Sequence, residues 1–131
     1  ALSPRSAPAY DPLELVDLAH RRHAPAGTLS YGELRRLGVA IALATDPIVL
    51  LLDEPGAGLT VGEVDELAAS LRRIKEQGTA ILLVDHNMRF VMNTVDRVLV
   101  LDAGKVIAEG TPDDIQRDER VREAYLGSGH A

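Results

Sequence analysis

The sequence contains no cysteine. Neither a disulfide framework nor a thiolate metal site can form. It also lacks an excess of positive charge: 14 Lys plus Arg stand against 20 Asp plus Glu, a formal charge of -6. That balance speaks against a general nucleic-acid binder, whose surface would be basic. No apolar run is long enough to cross a bilayer as a helix, and the N-terminus shows no signal-peptide pattern. The expectation is a cytosolic protein, with attachment to a membrane partner left open. No internal repeat or low-complexity block is visible. What is there is a chain of 131 residues, 46% of them hydrophobic. That is enough for one domain with a real core and too apolar for disorder.

The most informative stretch is Ile48-Val-Leu-Leu-Leu-Asp-Glu-Pro55. An unbroken apolar run suits a strand covered on both faces, as in a parallel sheet. Pro55 has no N–H to donate, so the strand should stop near Asp53. Residues 80–84, Ala-Ile-Leu-Leu-Val, form a second such run, ending at Asp85-His86. Between the two, Val64, Leu67, Ala68, Leu71 and Ile74 recur at helical spacing, with Gly78 as the stop. Strand, helix, strand is a βαβ unit with a right-handed crossover.

Its strands are parallel and, if adjacent, about 4.8 Å apart. Their carboxyl ends share the edge where open α/β sheets bind ligands. Asp53, Glu54 and His86 should therefore converge on one rim. An aspartate there suits Mg²⁺, which takes a few carboxylates plus substrate phosphates. The neighbouring glutamate could orient an attacking water, and the histidine could contact or sense a γ-phosphate. These are parts for phosphoryl transfer to water. Taken singly they have plainer readings, as a strand end with solvated acids and as a surface histidine.

The rest of the chain supplies partners. Residues 1–11 are rich in Pro, Ala and Ser and read as a tail. Leu13, Val16 and Leu18 suggest a short helix with Asp11 as N-cap and Pro12 in its first turn. A longer helix begins near Ser30, with Leu34, Leu37, Ile41 and Ala44 as its apolar face and Ser30/Glu33 at capping-box spacing. Ser30 and Gly32 at its start expose N–H groups at the positive end of the helix dipole, a phosphate-binding end. Arg35 and Arg36 read as a solvated helix face, with a contact to a partner subunit as the alternative, and Tyr31 reads as a packing residue. Gly56-Ala57-Gly58 is a tight loop. A short helix is expected over 88–93 and a β-hairpin over 98–109 around Asp102-Ala103-Gly104. Thr111-Pro112 opens a helical turn, and a last helix carries Val121, Ala124 and Tyr125. The run 116–122 reads as exposed and charged, and residues 128–131 as a tail. His20, His23 and His130 are assigned to solvated segments.

These pieces together carry a resemblance. Leu29-Ser30-Tyr31-Gly32-Glu33 resembles the signature motif of ATP-binding cassette (ABC) proteins. Ile48–Glu54 resembles their Walker B strand with its catalytic glutamate. Gly58-Leu59-Thr60 stands at the D-loop and His86 at the switch histidine, all in the family's order. The Ser-Tyr-Gly signature, residues 85–92, Glu109-Gly-Thr-Pro and Ala124-Tyr-Leu-Gly resemble the ATPase subunits of branched-chain amino-acid importers. Lipopolysaccharide-export ATPases are the nearest competing branch, and ABC-type ATPases of DNA repair fit poorly.

The resemblance implies a partial P-loop NTPase (ABC ATPase) α/β fold over residues 12–127, with a parallel βαβ core, a signature helix, and a C-terminal hairpin plus helices. It implies ATP and Mg²⁺ as cofactors, a second ABC ATPase subunit as homo- or heterodimer partner, membrane-spanning permease subunits, and no nucleic acid. The location implied is the inner face of the cell membrane, held through the permease. Asp53 would serve Mg²⁺, Glu54 the attacking water and His86 the γ-phosphate. The signature, residues 29–33, and the D-loop, residues 58–60, would serve across the dimer. Two departures matter. No Gly-x-x-x-x-Gly-Lys-Ser/Thr occurs, so the phosphate cradle is missing, and Thr60 replaces the usual D-loop aspartate. The chain alone is therefore expected to turn over no ATP. An alternative of another class is a non-catalytic interaction module that pairs with a Walker A-bearing chain.

Overall fold

The computed structural model describes residues 7–126. β1 (Val49–Asp53) and β2 (Ala80–Val84) pair in parallel, in register from Val49 opposite Ala80 to Asp53 opposite Val84. The helix between them is α3 (Val61–Glu76). Its expected stripe is the buried one: Val64, Leu67, Ala68, Leu71 and Ile74 all lie in the core. Gly78, at φ +93°, turns the chain out of the helix into β2, a conformation that favours glycine. α1 (Pro12–Leu15) starts at Asp11, whose side chain accepts from the Leu13 N–H. α1 packs against α3 and α2 (Tyr31–Leu43). Val16 and Leu18 follow α1 in irregular chain, yet both are buried in the same core. Tyr10, read as tail, also packs there, and its hydroxyl reaches the Leu43 carbonyl at 3.4 Å.

Three expectations are corrected. First, the sheet is covered on one face. Leu50 is buried, and Leu52, Ile81 and Leu83 pack against the core, whereas Val49, Leu51, Leu82 and Val84 on the other face are exposed. Strand residues alternate sides, and the helices of this unit all occupy the Leu50 side. Second, α2 buries Gly32, Arg36, Val39, Ala40 and Leu43, while Leu34 and Ile41 stay exposed. The sequence offers two overlapping apolar stripes, and packing against α1 and α3 selects the second. Third, Arg36 is interior. Its guanidinium donates to the Val16 carbonyl at 3.1 Å and pairs with Glu66 at 3.1 Å. Arg35, one position earlier and turned by about 100°, stays near the surface.

Of the described residues, 91–126 belong to a second compact unit, with α4 (Met88–Thr94) across the boundary. β3 (Val98–Asp102) and β4 (Lys105–Gly110) make an antiparallel hairpin. Ala103 and Gly104 both have positive φ, +46° and +77°, as a two-residue type I′ turn requires. A bulge sets Val100 opposite Ala108 and Leu101 opposite Val106. α5 (Pro112–Arg117) is capped by Thr111, and α6 (Glu119–Val121) by Asp118. Val98, Val100, Ala108, Ile115 and Val121 are buried; Val121 is thus an apolar anchor inside a run expected to be exposed. The Tyr125 hydroxyl donates to the Leu101 carbonyl. The expected tail over 128–131, with Gly127 and His130, lies outside the described residues.

Candidate functional site

The residues singled out in the sequence fall into two groups, joined by the loop from Glu54 to Thr60. The first sits at the carboxyl edge of β1 and β2. Asp53 is the last residue of β1. The Glu54 N–H extends the ladder by donating to the Val84 carbonyl at 2.7 Å. Glu54 then takes a left-handed conformation, φ +47°, which turns the chain sharply. Its Oε1 lies 3.4 Å from His86 Nδ1, with both side chains largely exposed. The acid pair and the histidine therefore emerge side by side from adjacent parallel strands.

Asp85 fixes this rim and was not singled out from the sequence. Its Oδ2 accepts from the Gly56 N–H at 3.1 Å, and its Oδ1 accepts from the Asn87 N–H at 2.9 Å. A Cβ on Gly56 would sit 3.1 Å from Asp85 Oδ2 and 3.3 Å from the Phe90 ring. A larger residue there would have to push these side chains back by a few tenths of an ångström. An aspartate two residues before a free N–H is an Asx-turn signal, so part of this was legible.

The second group is the start of α2. Ser30 Oγ accepts from the Glu33 N–H at 3.2 Å, and Glu33 Oε2 accepts from the Ser30 N–H at 2.8 Å. The expected capping box is present. The bond from Ser30 holds the Glu33 carboxyl below its usual range, and Arg21 and Arg36 act in the same direction. The Tyr31 hydroxyl donates to the Ala57 carbonyl at 3.2 Å. Arg35 donates to that hydroxyl at 2.9 and 2.6 Å, and its guanidinium carbon lies 5.1 Å from the Tyr31 ring centroid.

Gly58, at φ +77°, lies so close to the Tyr31 ring that a Cβ would meet it at 3.2 Å. A Cβ on Gly32 would meet the Glu63 carboxylate at 2.6 Å. Glu63 in turn accepts from the Thr60 N–H at 2.8 Å and from its hydroxyl at 2.9 Å. Those bonds lead in holding the Glu63 carboxyl below its usual range, and the Gly32 N–H adds to them. Residues 29–33 and 58–60 are thus interlocked, with Leu59 packed against the core. Glu63 was missed in the sequence, although Thr60-x-x-Glu63 is a capping-box spacing. Among the described residues, no group of three or more His, Cys, Asp or Glu is placed to hold a metal. Asp53 is a hard oxygen donor that suits Mg²⁺ only together with other ligands, such as phosphate oxygens and water.

Comparison with known proteins gives the family. A family model described as "ABC transporter" matches residues 4–57. Another, "Branched-chain amino acid ATP-binding cassette transporter", matches residues 105–131. The chain is similar to the high-affinity branched-chain amino acid transport ATP-binding protein BraF of Pseudomonas aeruginosa. Identity is 41% over 116 residues, covering 88% of this chain and 46% of that protein. It is similar to the lipopolysaccharide export system ATP-binding protein LptB of Haemophilus influenzae, 37% identical over 115 residues, covering 88% of this chain and 48% of that protein. Among solved structures, the ADP conformation of MJ1267, an ATP-binding cassette of an ABC transporter, superposes with a TM-score of 0.80 at 30% identity, covering 89% of this chain and 48% of that one. The chain spans about half the length of the curated relatives it matches. With these likenesses running through the acid pair and the signature alike, the chain belongs to the ATP-binding domains of ABC transporters.

Proposed function

We propose that this chain is the signature-and-Walker-B portion of a cassette that hydrolyses ATP with Mg²⁺ to drive import through membrane-spanning permease subunits, with branched-chain amino acids as the cargo. The observation that carries the reading is the 3.4 Å approach of His86 Nδ1 to Glu54 Oε1 at the shared edge of two parallel strands, next to Asp53. Asp53 holds Mg²⁺ by this reading. The ion, bound with the nucleotide, supplies charge neutralisation at the phosphates. The exposed Glu54 carboxylate orients the attacking water as an acceptor. His86, exposed beside Glu54, contacts the terminal phosphate by the same reading.

Ser30 and Gly32, with Leu29, Tyr31 and Glu33, present the α2 N-terminus to the nucleotide of a second ATPase subunit, identical or different. Gly58, Leu59 and Thr60 lie beside that end and would form the D-loop contact. The place of action is the inner face of the cell membrane, reached through the permease. For cargo, the match of residues 105–131 to the branched-chain family supports the importer. The likeness to LptB keeps lipopolysaccharide export as the second reading.

The test is a chimera in which this chain replaces the matching part of BraF. In a Pseudomonas aeruginosa strain lacking BraF, the chimera is expected to restore leucine uptake. Glu54→Gln is expected to lower its ATP turnover by about a hundredfold or more. A chimera that folds and binds ATP, yet hydrolyses it independently of Glu54, overturns the ATPase reading. Glu54-dependent turnover without leucine uptake removes the importer part alone.

A further inference from the structure

The start of α2 already carries an anion. The proposed function has Ser30 and Gly32 meet the phosphate of a second subunit's nucleotide. Ser30 is exposed, but Gly32 is buried. Its cover is Glu63, from the first turn of α3. A Cβ on Gly32 would lie 2.6 Å from Glu63 Oε1 and 2.8 Å from both Cδ and Cγ, so the arm of that side chain lies against the glycine. The Gly32 N–H is one of the groups that hold the Glu63 carboxyl below its usual range. The capping box of α2 takes two other N–H groups at this end, since Ser30 donates to Glu33 Oε2 and Glu33 donates to Ser30 Oγ. A phosphate arriving here meets a carboxylate of its own charge sign, seated on a donor that the phosphate needs.

We propose that Glu63 is an internal latch: its carboxylate fills the phosphate end of α2 until the phosphate of a second subunit's nucleotide displaces it. The inference rests on the reading of residues 29–33 as a phosphate-binding end under the proposed function. Glu63 touches no reacting atom and is a positioning residue. Its other oxygen, Oε2, accepts from the Thr60 N–H at 2.8 Å and from the Thr60 hydroxyl at 2.9 Å. One side chain thus spans both segments given to the partner subunit, the signature and the D-loop. A phosphate that lifts Oε1 off Gly32 also disturbs the hold of Oε2 on Thr60, so filling one segment shifts the other. Capping alone does not require this reach. At Thr111 an aspartate, one methylene shorter, closes the same reciprocal bonds, with Asp114 Oδ2 accepting from the Thr111 N–H at 3.0 Å. The longer arm of Glu63 serves the cap of α3 and the cover of Gly32 together.

The experiment titrates the purified chain with inorganic triphosphate and follows the Gly32 and Thr60 amides by NMR. Glu63→Gln keeps an acceptor for the Thr60 N–H and removes the charge. It is expected to bind triphosphate about tenfold more tightly than the parent chain, with both amides moving along one binding curve. Asp65→Asn removes the same charge from an exposed position of α3 and should bind as the parent does. Glu63→Asp keeps the cap and the charge on a shorter arm, and should fall between the parent and Glu63→Gln. If Glu63→Gln does not fold, Glu63→Asp decides: affinity equal to the parent's overturns the proposal. Equal affinity of Glu63→Gln and the parent overturns it too. So does an equal gain from Asp65→Asn, or a gain that leaves the Gly32 amide unmoved. The ATPase reading is tested apart, in the BraF chimera, where Glu63→Gln should lower the KM for ATP by about the same factor. Glu54-dependent turnover with that KM unchanged counts against the latch alone. Absence of Glu54-dependent turnover counts against the proposed activity, while tighter triphosphate binding by the Glu63→Gln chain still supports the latch.

Discussion

At the scale of single residues, Glu54 sets backbone preference against chemistry. A left-handed φ costs a non-glycine residue about 1–2 kcal/mol, and the position before a proline is restricted further. Glu54 holds φ +47° all the same, directly before Pro55. Its turn places the carboxylate against His86. Glu54→Gly should relieve the strain, offset in part by the greater freedom of glycine in the unfolded chain. The expected outcome is a urea midpoint unchanged or raised by up to about 1 kcal/mol of stability, with loss of Glu54-dependent turnover in the chimera. A clear loss of stability would instead make the carboxylate a structural tie. Arg36 is the opposite case, a charge kept for structure. Removing it leaves the Val16 carbonyl without this donor and Glu66 without this cation. Arg36→Ala should destabilise by about 2–4 kcal/mol in urea. Arg36→Lys should recover only part of that, because one ammonium cannot serve both sides as the guanidinium fork does. The letters Arg35-Arg36 did not separate the two roles; the helix turn between them does.

At the scale of elements, three helices begin in the same way. Ser30/Glu33, Thr60/Glu63 and Thr111/Asp114 are reciprocal capping boxes. In each, the acid accepts the N–H of its cap, and its carboxyl is held below the ordinary value of 4.5 for the glutamates and 3.8 for the aspartate. For Glu33 and Glu63 the cap N–H is the first cause; for Asp114 the Thr111 hydroxyl leads. The folded carboxyls bind protons less readily than the unfolded ones. Their stabilisation is complete above the unfolded values and is lost as pH falls through the lowered folded ones. Urea midpoints should therefore be level down to about pH 5 and decline below it. Glu33→Gln and Glu63→Gln should each make that decline shallower, because glutamine still accepts the cap N–H and does not titrate in this range. Variants with the parent's acid profile would show that these caps contribute nothing to the decline. Helix starts were legible in Ser30-x-x-Glu33 and at Asp11-Pro12 because a cap is a local bond. The buried face of α2 was not, since Leu34/Ile41 and Val39/Leu43 are equally apolar and contacts distant in sequence choose between them.

At the scale of the molecule, the order of the segments was readable because a βαβ unit forces two strand ends onto one edge, whichever residues fill them. The covering of the sheet was not readable: an unbroken apolar strand predicts burial on both faces, and among the described residues the helices of the first unit cover one. The same asymmetry governs what this polypeptide can do by itself. By the proposed function, the rim of Asp53, Glu54 and His86 would supply groups for the metal, the water and the terminal phosphate. The sequence holds no Gly-x-x-x-x-Gly-Lys-Ser/Thr loop to cradle the phosphates. Positioning accounts for most of the rate in phosphoryl transfer, so a well-formed rim without a cradle should give no measurable turnover. The purified chain is therefore expected to hydrolyse ATP no faster than its own Glu54→Gln variant. It should also bind the dye ANS in its native state at pH 7, through Leu51 and Leu82, and the L51E/L82E variant should bind less at unchanged circular dichroism. Glu54-dependent hydrolysis by the chain alone would mean that another part of these 131 residues holds the phosphates, and would overturn the assignment of that task to the missing loop.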